Sequence, residues 1–341
     1  MLRALEAISS GRKTNTWQRS CLAVGAGWRP ELRPGTLQSM RMVLPAALLA
    51  ALLLAGCRSP QVTTTNPPLT SAAVLESAQP GDWRRPDPEN VLCLDFAKGR
   101  VVIELLPILA PRHVANVKAL VRERYFDGLA IVRVQDNYVV QWGDPDAEDK
   151  AKARQIRTAQ RHLPAELEFR LPASTPFHPL PDGDIYAPQA GFLDGMPVAR
   201  DPRSGTCWPI HSYGMVGAGR DNALDSGGGA EMYVVSGQAP RHLDRNVTLL
   251  GRVIQGMDRL TSLPRGTAPM GFYEKAEERI PIRSIRIAAD LPESERPRIE
   301  ILRTDTETFR RWVEARRNRR EEWFHQAAGR IDVSNIPIPT R

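Results

Sequence analysis

The chain has 341 residues, with 46 lysines and arginines against 39 aspartates and glutamates, a formal net charge of +7. The excess sits at the start: residues 1–39 carry six basic and two acidic residues and Arg41 one more, leaving +2 for the rest. A balance so near neutral excludes nucleic-acid binding through a basic footprint.

Residues 1–39 have no clean amphipathic period, so translation is expected to start at Met40 or Met42; a long basic leader is the alternative. From Met40 the chain reads MRMVLPAALLAALLLAGC, a short basic start and an apolar run ending in Leu54-Ala55-Gly56-Cys57. The run is too short for a membrane-spanning helix, which needs about 20 residues. An interfacial or buried helix is the plain alternative. The pattern resembles a bacterial lipoprotein signal over residues 40–56. That resemblance implies a lipid on Cys57 and a periplasmic protein. Arg58 follows the cysteine where an aspartate would retain it at the inner membrane, so the resemblance implies the outer membrane. Residues 57–90, rich in Thr, Ser, Ala and Pro, read as a flexible tether.

Val101, Ile103 and Leu105 then alternate with Val102 and Glu104, the period of a half-buried strand. Ala110-Pro111 opens a helix, because a proline at the first helical position loses no needed hydrogen bond. Val114, Val117, Leu120 and Val121 make its apolar stripe. Tyr125-Phe126-Asp127-Gly128 reads as a turn, and residues 130–134 and 138–142 as two short strands. They carry Arg133 inside an apolar run. A lone guanidinium on a strand is costly unless something uses it; a rim-paired arginine in a generic core is the plain alternative.

Further along come Gly214-Met215, a glycine-rich turn at residues 226–229, Glu231-Met232-Tyr233-Val234-Val235, His242-Leu243-Asp244 and Gly251-Arg252-Val253. Together with Ile103-Glu104-Leu105, Asn116-Val117, Arg133-Val134 and Gln141-x-Gly143-Asp144-Pro145, in this order, they resemble the cyclophilins. The likeness covers residues 91–290. It implies a mainly β fold, a closed eight-stranded antiparallel barrel capped by two helices, and peptidyl-prolyl cis-trans isomerase activity without a cofactor. It also implies that Arg133 is the catalytic donor to the prolyl nitrogen. Tyr138, Val139, Gln141, Val216, Tyr233 and Leu243 match the proline pocket, each alone being equally readable as core or rim. Glu231 stands at the substrate-binding position where the family has a second glutamine that helps hold the substrate backbone; facing Arg133, as the resemblance implies, its carboxylate could pair with the guanidinium and compete with substrate. His242 replaces a rim tryptophan associated with cyclosporin binding, and Val247 a nearby histidine.

Residues 146–209 interrupt the likeness. The charged start, residues 147–163, is expected to be helical, and the prolines at 172, 176, 179, 181, 188, 197 and 202 to leave little room for ladders. The insertion reads as a groove lid or a surface loop. Asp182-Gly183-Asp184 lacks regular calcium-ligand spacing, and no HExxH or CxxC occurs, so no metal is expected. Cys93 and Cys207 form a candidate disulfide in an oxidising compartment, two inert core thiols being the alternative. In residues 291–341, Thr304 and Glu307 have capping-box spacing. Phe309, Trp312, Val313, Trp323 and Phe324 fall on one helical side, expected to dock on the barrel, with an acidic partner or an anionic lipid surface as the alternative. Proline-containing polypeptides are the expected partners of a monomeric, lipid-tethered isomerase. A catalytically weak proline-segment-binding module and a structural envelope lipoprotein remain as alternatives.

Overall fold

The computed structural model describes residues 70–172 and 174–341. The leader, the signal-like segment and Cys57 lie outside the described residues. The described chain opens with helix α1 (Ser71–Glu76) and strand β1 (Trp83–Arg84), then enters the barrel with β2 (Val91–Phe96), β3 (Gly99–Leu105), β4 (Ala130–Val134) and β5 (Val139–Gly143). The insertion supplies β6 (Phe169–Arg170), β7 (His178–Pro179), β8 (Gln189–Leu193), β9 (Met196–Asp201) and β10 (Thr206–Pro209). The barrel resumes with β11 (Met215–Ala218), β12 (Met232–Val235), β13 (Leu249–Gln255) and β14 (Ile280–Ile287).

The barrel strands run in the order β11-β12-β5-β4-β14-β2-β3-β13, and β13 pairs back onto β11 to close an antiparallel cylinder. Closure leaves no unpaired edge. Alternate residues point inward: Leu92, Leu94 and Phe96 of β2, Val101, Ile103 and Leu105 of β3, and Val140 and Trp142 of β5 form one buried cluster. Helix α2 (Pro111–Arg122) inserts Val114, Val117, Leu120 and Val121 into that cluster, and helix α3 (Met257–Thr261) inserts Leu260. These are the two expected capping helices.

Residues 147–163 form turns and coil rather than a helix. Their backbone is captured by side chains of neighbouring elements. The Arg154 N–H donates to Asp144, those of Arg157 and Thr158 to Glu123, and that of Gln160 to Asn116 of α2. Asn116 returns a bond to the Gln160 carbonyl at 2.7 Å. Just beyond, the Glu166 carboxylate accepts the N–H groups of Arg112 and His113 and the His113 ring Nδ1, capping α2, whose own cap residue Ala110 cannot.

The remainder of the insertion is a five-stranded sheet, β6-β10-β9-β8-β7, contrary to the expectation from its prolines. Most of those prolines flank strands; Pro179 lies in the edge strand β7 and Pro197 is the second residue of β9. One face of this sheet, Leu193, Met196, Val198 and Cys207, packs on the outside of the barrel against Val139, Tyr233, Val235 and Leu249. The other face, Ala190, Phe192, Ala199 and Trp208, packs on Phe309, Trp312 and Val313 of helix α4 (Glu307–Arg317). The C-terminal helix therefore docks on the insertion sheet, not on the barrel.

Residues 70–90 are structured rather than a tether. Val74 of α1 is buried in the α4 cluster, and β1 pairs with β15 (Ile301–Leu302). The α4 cap is Thr306, whose hydroxyl accepts the Phe309 N–H, while Thr304 accepts the Gly195 N–H. The helix ends at Arg317, leaving Trp323 exposed. Cys93 and Cys207 are free and buried in different clusters, so the disulfide is replaced by the inert-thiol alternative. Burial pushes the Cys93 thiol up to about 11.

Candidate active site

The site is assembled on the outer face of the barrel by strand register. Strand β4 pairs with β5 through a register shift between Ile131 and Arg133, which brings Arg133 opposite Gln141. Gln141 pairs with Tyr233 of β12, and Tyr233 with Gly217 of β11. Arg133, Gln141, Tyr233 and Gly217 thus form one transverse row. Val216 belongs to the inward set and is fully buried in the barrel core. The wall position expected of Val216 is therefore held by Gly217. A Cβ there would come within 2.4 Å of the Tyr233 ring, so only glycine lets the ring lie down on β11.

Arg133 is 5% exposed and all three of its guanidinium nitrogens are engaged. Nε donates to the Met270 carbonyl at 2.7 Å, one terminal nitrogen to Gln141 Oε1 at 2.9 Å, and the other to Gln135 Oε1. Its guanidinium carbon lies 5.6 Å from the Tyr138 ring centroid and 5.3 Å from that of Phe272. Burial lowers its pKa, opposed by Tyr138 and Glu231, yet an arginine keeps its charge under such a shift. Glu231 does not pair directly with it: the Gln141 amide stands between, donating 2.5 Å to Glu231 Oε1. This corrects the expected ion pair. Burial raises the Glu231 carboxyl pKa, against the opposing Gln141 hydrogen bond and Arg133 charge.

Tyr138 stacks against His242 with ring planes 3° apart and centroids 6.5 Å apart. Val139 is buried beneath the insertion sheet, and Leu243 is half-buried in the short turn Arg241–Leu243. Tyr233 is held by groups that sequence reasoning missed. Its hydroxyl lies 2.9 Å from His211 Nε2, and His211 Nδ1 lies 3.0 Å from Asp244. Asp244 accepts from Arg241 Nε at 2.6 Å, and Arg241 makes a two-pronged pair with Asp184 of the insertion. Burial lowers the His211 pKa in spite of Asp244, so the ring is neutral, with Nδ1–H donating to the carboxylate and Nε2 accepting from the tyrosine. Asp184 is thus a buried ion-pair partner, and Asp182 is likewise taken by Arg317.

The model of the family described as cyclophilin type peptidyl-prolyl cis-trans isomerase matches residues 92–287. The chain belongs to that family. The "Probable peptidyl-prolyl cis-trans isomerase" of Brucella suis biovar 1 is 27% identical over 184 residues, 53% of this chain and 74% of that protein. A "Putative thylakoid lumen peptidyl-prolyl cis-trans isomerase" of Synechocystis is 23% identical, over 58% of this chain and 53% of its own. The crystal structure of cyclophilin AquaCyp293 from Hirschia baltica superposes with a TM-score of 0.63 at 27% identity, covering 80% of this chain and 97% of that one. Beside the row that bears Arg133 lie His242, the Asp244–Arg241 pair and the insertion that supplies Asp184.

Proposed function

We propose that the protein isomerises Xaa-Pro bonds of exported or envelope polypeptides, with Arg133 as the catalytic residue. Amide resonance sets a rotation barrier of about 18–20 kcal/mol, although the two isomers differ little in energy. No covalent step is needed. A guanidinium N–H aimed at the prolyl nitrogen draws its lone pair out of conjugation, and so stabilises the twisted amide more than either planar form. About 1.4 kcal/mol of such preference gives a ten-fold rate. The observation that carries this reading is the fixed cation: Arg133 is oriented by Met270, Gln135 and Gln141 beside the Tyr138 and Phe272 rings.

The exported setting rests on the lipoprotein-like residues 40–57 and on the thylakoid-lumen name of one relative. On this reading the chain is a periplasmic monomer, held at the outer membrane by a lipid on Cys57 and taking proline-containing segments as substrates. Mass spectrometry of the membrane-extracted protein, with Cys57→Ser as control, tests the anchor.

One observation favours a second reading, a proline-segment-binding module of low turnover. All three Arg133 nitrogens are already bonded, and Gln141 is shared with the Glu231 carboxyl. NMR exchange on Xaa-Pro peptides separates the two. Accelerated exchange that disappears in Arg133→Ala supports catalysis. Peptide binding with unchanged exchange selects the module, and an Arg133→Ala protein as fast as wild type removes the assignment.

A further inference from the structure

Beside the proline groove lies a second cleft, of about 530 Å³, built by the insertion and the turn carrying Arg241 to Arg245. Its walls include Tyr186, Trp208, Thr206, Arg241 and Arg245. The turn is a partition between the two depressions: Arg241 and Asp244 line the cleft, while His242 stacks on Tyr138 of the groove. We propose that this cleft is a second subsite, which takes an aromatic or large aliphatic side chain of the same extended polypeptide whose proline occupies the groove.

Its arginines are already paired, and the carboxylate of Asp201 adds a negative charge to the wall. Arg241 is paired with Asp184 and Asp244, and Arg245 with Glu168. A ligand carboxylate would gain little there, and the rings of Tyr186 and Trp208 supply the apolar surface. Arg241 lies 4.6 Å from the Tyr186 ring centroid and Arg245 5.1 Å from that of Trp208, so one face of each ring is covered by a guanidinium. Arg245 holds this position with φ at +61°, a backbone conformation unfavourable for a residue with a side chain.

The rim is held firmly and is apolar at its tip. In the loop of residues 181–188, Asp182 is clamped by two Arg317 nitrogens at 2.6 and 2.7 Å, and Asp184 by two Arg241 nitrogens at 2.8 and 2.7 Å. Between those clamps and Pro188 the chain presents Ile185, 91% exposed, and Tyr186, 56% exposed. Adjacent large apolar side chains facing water on a pinned loop mark a contact surface. An extended chain advances about 3.3 Å per residue, so crossing a partition one turn thick takes about three to five residues from the proline.

The inference rests on the proline-groove reading, and the test separates the two. Wild type, Tyr186→Ala and Ile185→Ser are assayed on a short Ala-Ala-Pro-Phe peptide and on peptides of about twelve residues. The longer set carries phenylalanine, aspartate or alanine about four residues from the proline, on either side. The expected result is a KM about ten-fold lower for one long phenylalanine peptide than for its alanine counterpart. Both variants should lose that advantage while keeping wild-type kcat/KM on the short peptide. Equal KM values for phenylalanine and alanine, a preference for aspartate, or an advantage that survives both substitutions overturns the subsite. If the short peptide is not isomerised at all, catalysis has failed instead. Fluorescence anisotropy with the labelled long peptides then decides: binding that favours phenylalanine and is lost in Tyr186→Ala supports the cleft, and indifference to both overturns it.

Discussion

The barrel and the layer that the insertion forms with the chain ends are stabilised by different means. The barrel interior is a continuous apolar cluster inside a closed hydrogen-bond ladder. The outer layer also has apolar clusters, but charge pairs tie it to its neighbours. Arg317 joins α4 to the 181–188 loop through Asp182, Arg241 joins that loop to the groove wall through Asp184, and Arg84 joins β1 to Glu104 of β3 and Asp194 of the β8–β9 turn. Apolar packing tolerates small slips, whereas a buried pair demands one geometry and penalises loss of either partner. The row bearing Arg133 is therefore set by the barrel, and the turn bearing His242 by the insertion.

Removing the barrel's contribution should have the largest effect. Arg133→Ala is expected to lower kcat/KM by about a thousandfold, near 4 kcal/mol of transition-state stabilisation. Its thermal midpoint should fall only modestly, because the side chain lies outside the barrel core although Met270, Gln135 and Gln141 lose their donor. Protease-coupled isomerisation alongside a melting curve checks both halves. Asp184→Ala strikes the outer layer instead. Its side chain is 1% exposed and that of Arg241 4%, so the variant leaves the buried Arg241 with Asp244 alone and both terminal nitrogens without their acceptor, and should cost about 3 kcal/mol in denaturant unfolding. Its kinetic loss should fall on KM more than on kcat, since Arg133 is untouched.

Tyr233→Phe probes the seam between the two. Loss of the hydroxyl leaves His211 Nε2 without its donor in a site that is 0% exposed, at a cost of about 1–2 kcal/mol. His211→Phe together with Tyr233→Phe should recover part of that loss, because no unpaired ring nitrogen remains and Asp244 keeps the backbone N–H of residue 211 and Arg241. A double-mutant cycle from urea melts measures the coupling, and strict additivity would mean that the contact carries no energy.

The same division decides what could be read from sequence. The alternation of Val101, Ile103 and Leu105 placed β3, and ordered motifs brought Arg133, Gln141 and Tyr233 to one face, because strand period and short-range register govern both. The choice of Val216 over Gly217 failed on a single residue of register, which in a strand exchanges the two faces. His211 carried no local signal: its partners lie 22 and 33 residues away. The helix expected at residues 147–163 was a fair reading of composition, but Glu123, Asn116 and Asp144 supply acceptors that no local rule includes. The insertion sheet has no clear local sign, because its prolines read as breakers although most of them stand at strand ends.

Glu231→Gln gives the smallest and most diagnostic shift. Burial raises the Glu231 carboxyl pKa above the ordinary carboxylate range. For an acid whose folded pKa is raised, the folded state binds the extra proton. The penalty of the buried charge is therefore absent below the unfolded pKa, and grows as pH rises until it is complete above the folded one. Wild type should accordingly lose stability relative to Glu231→Gln across that window, with the two parallel above it. Activity should follow the same group. A carboxylate one amide away from Arg133 draws its charge from the substrate, so wild-type kcat/KM should rise a few-fold as pH falls through the raised pKa, while Glu231→Gln stays high and flat. A variant with the wild-type pH profile would show that the Gln141 amide insulates the guanidinium from its neighbour, and would leave the barrel row independent of the charge beside it.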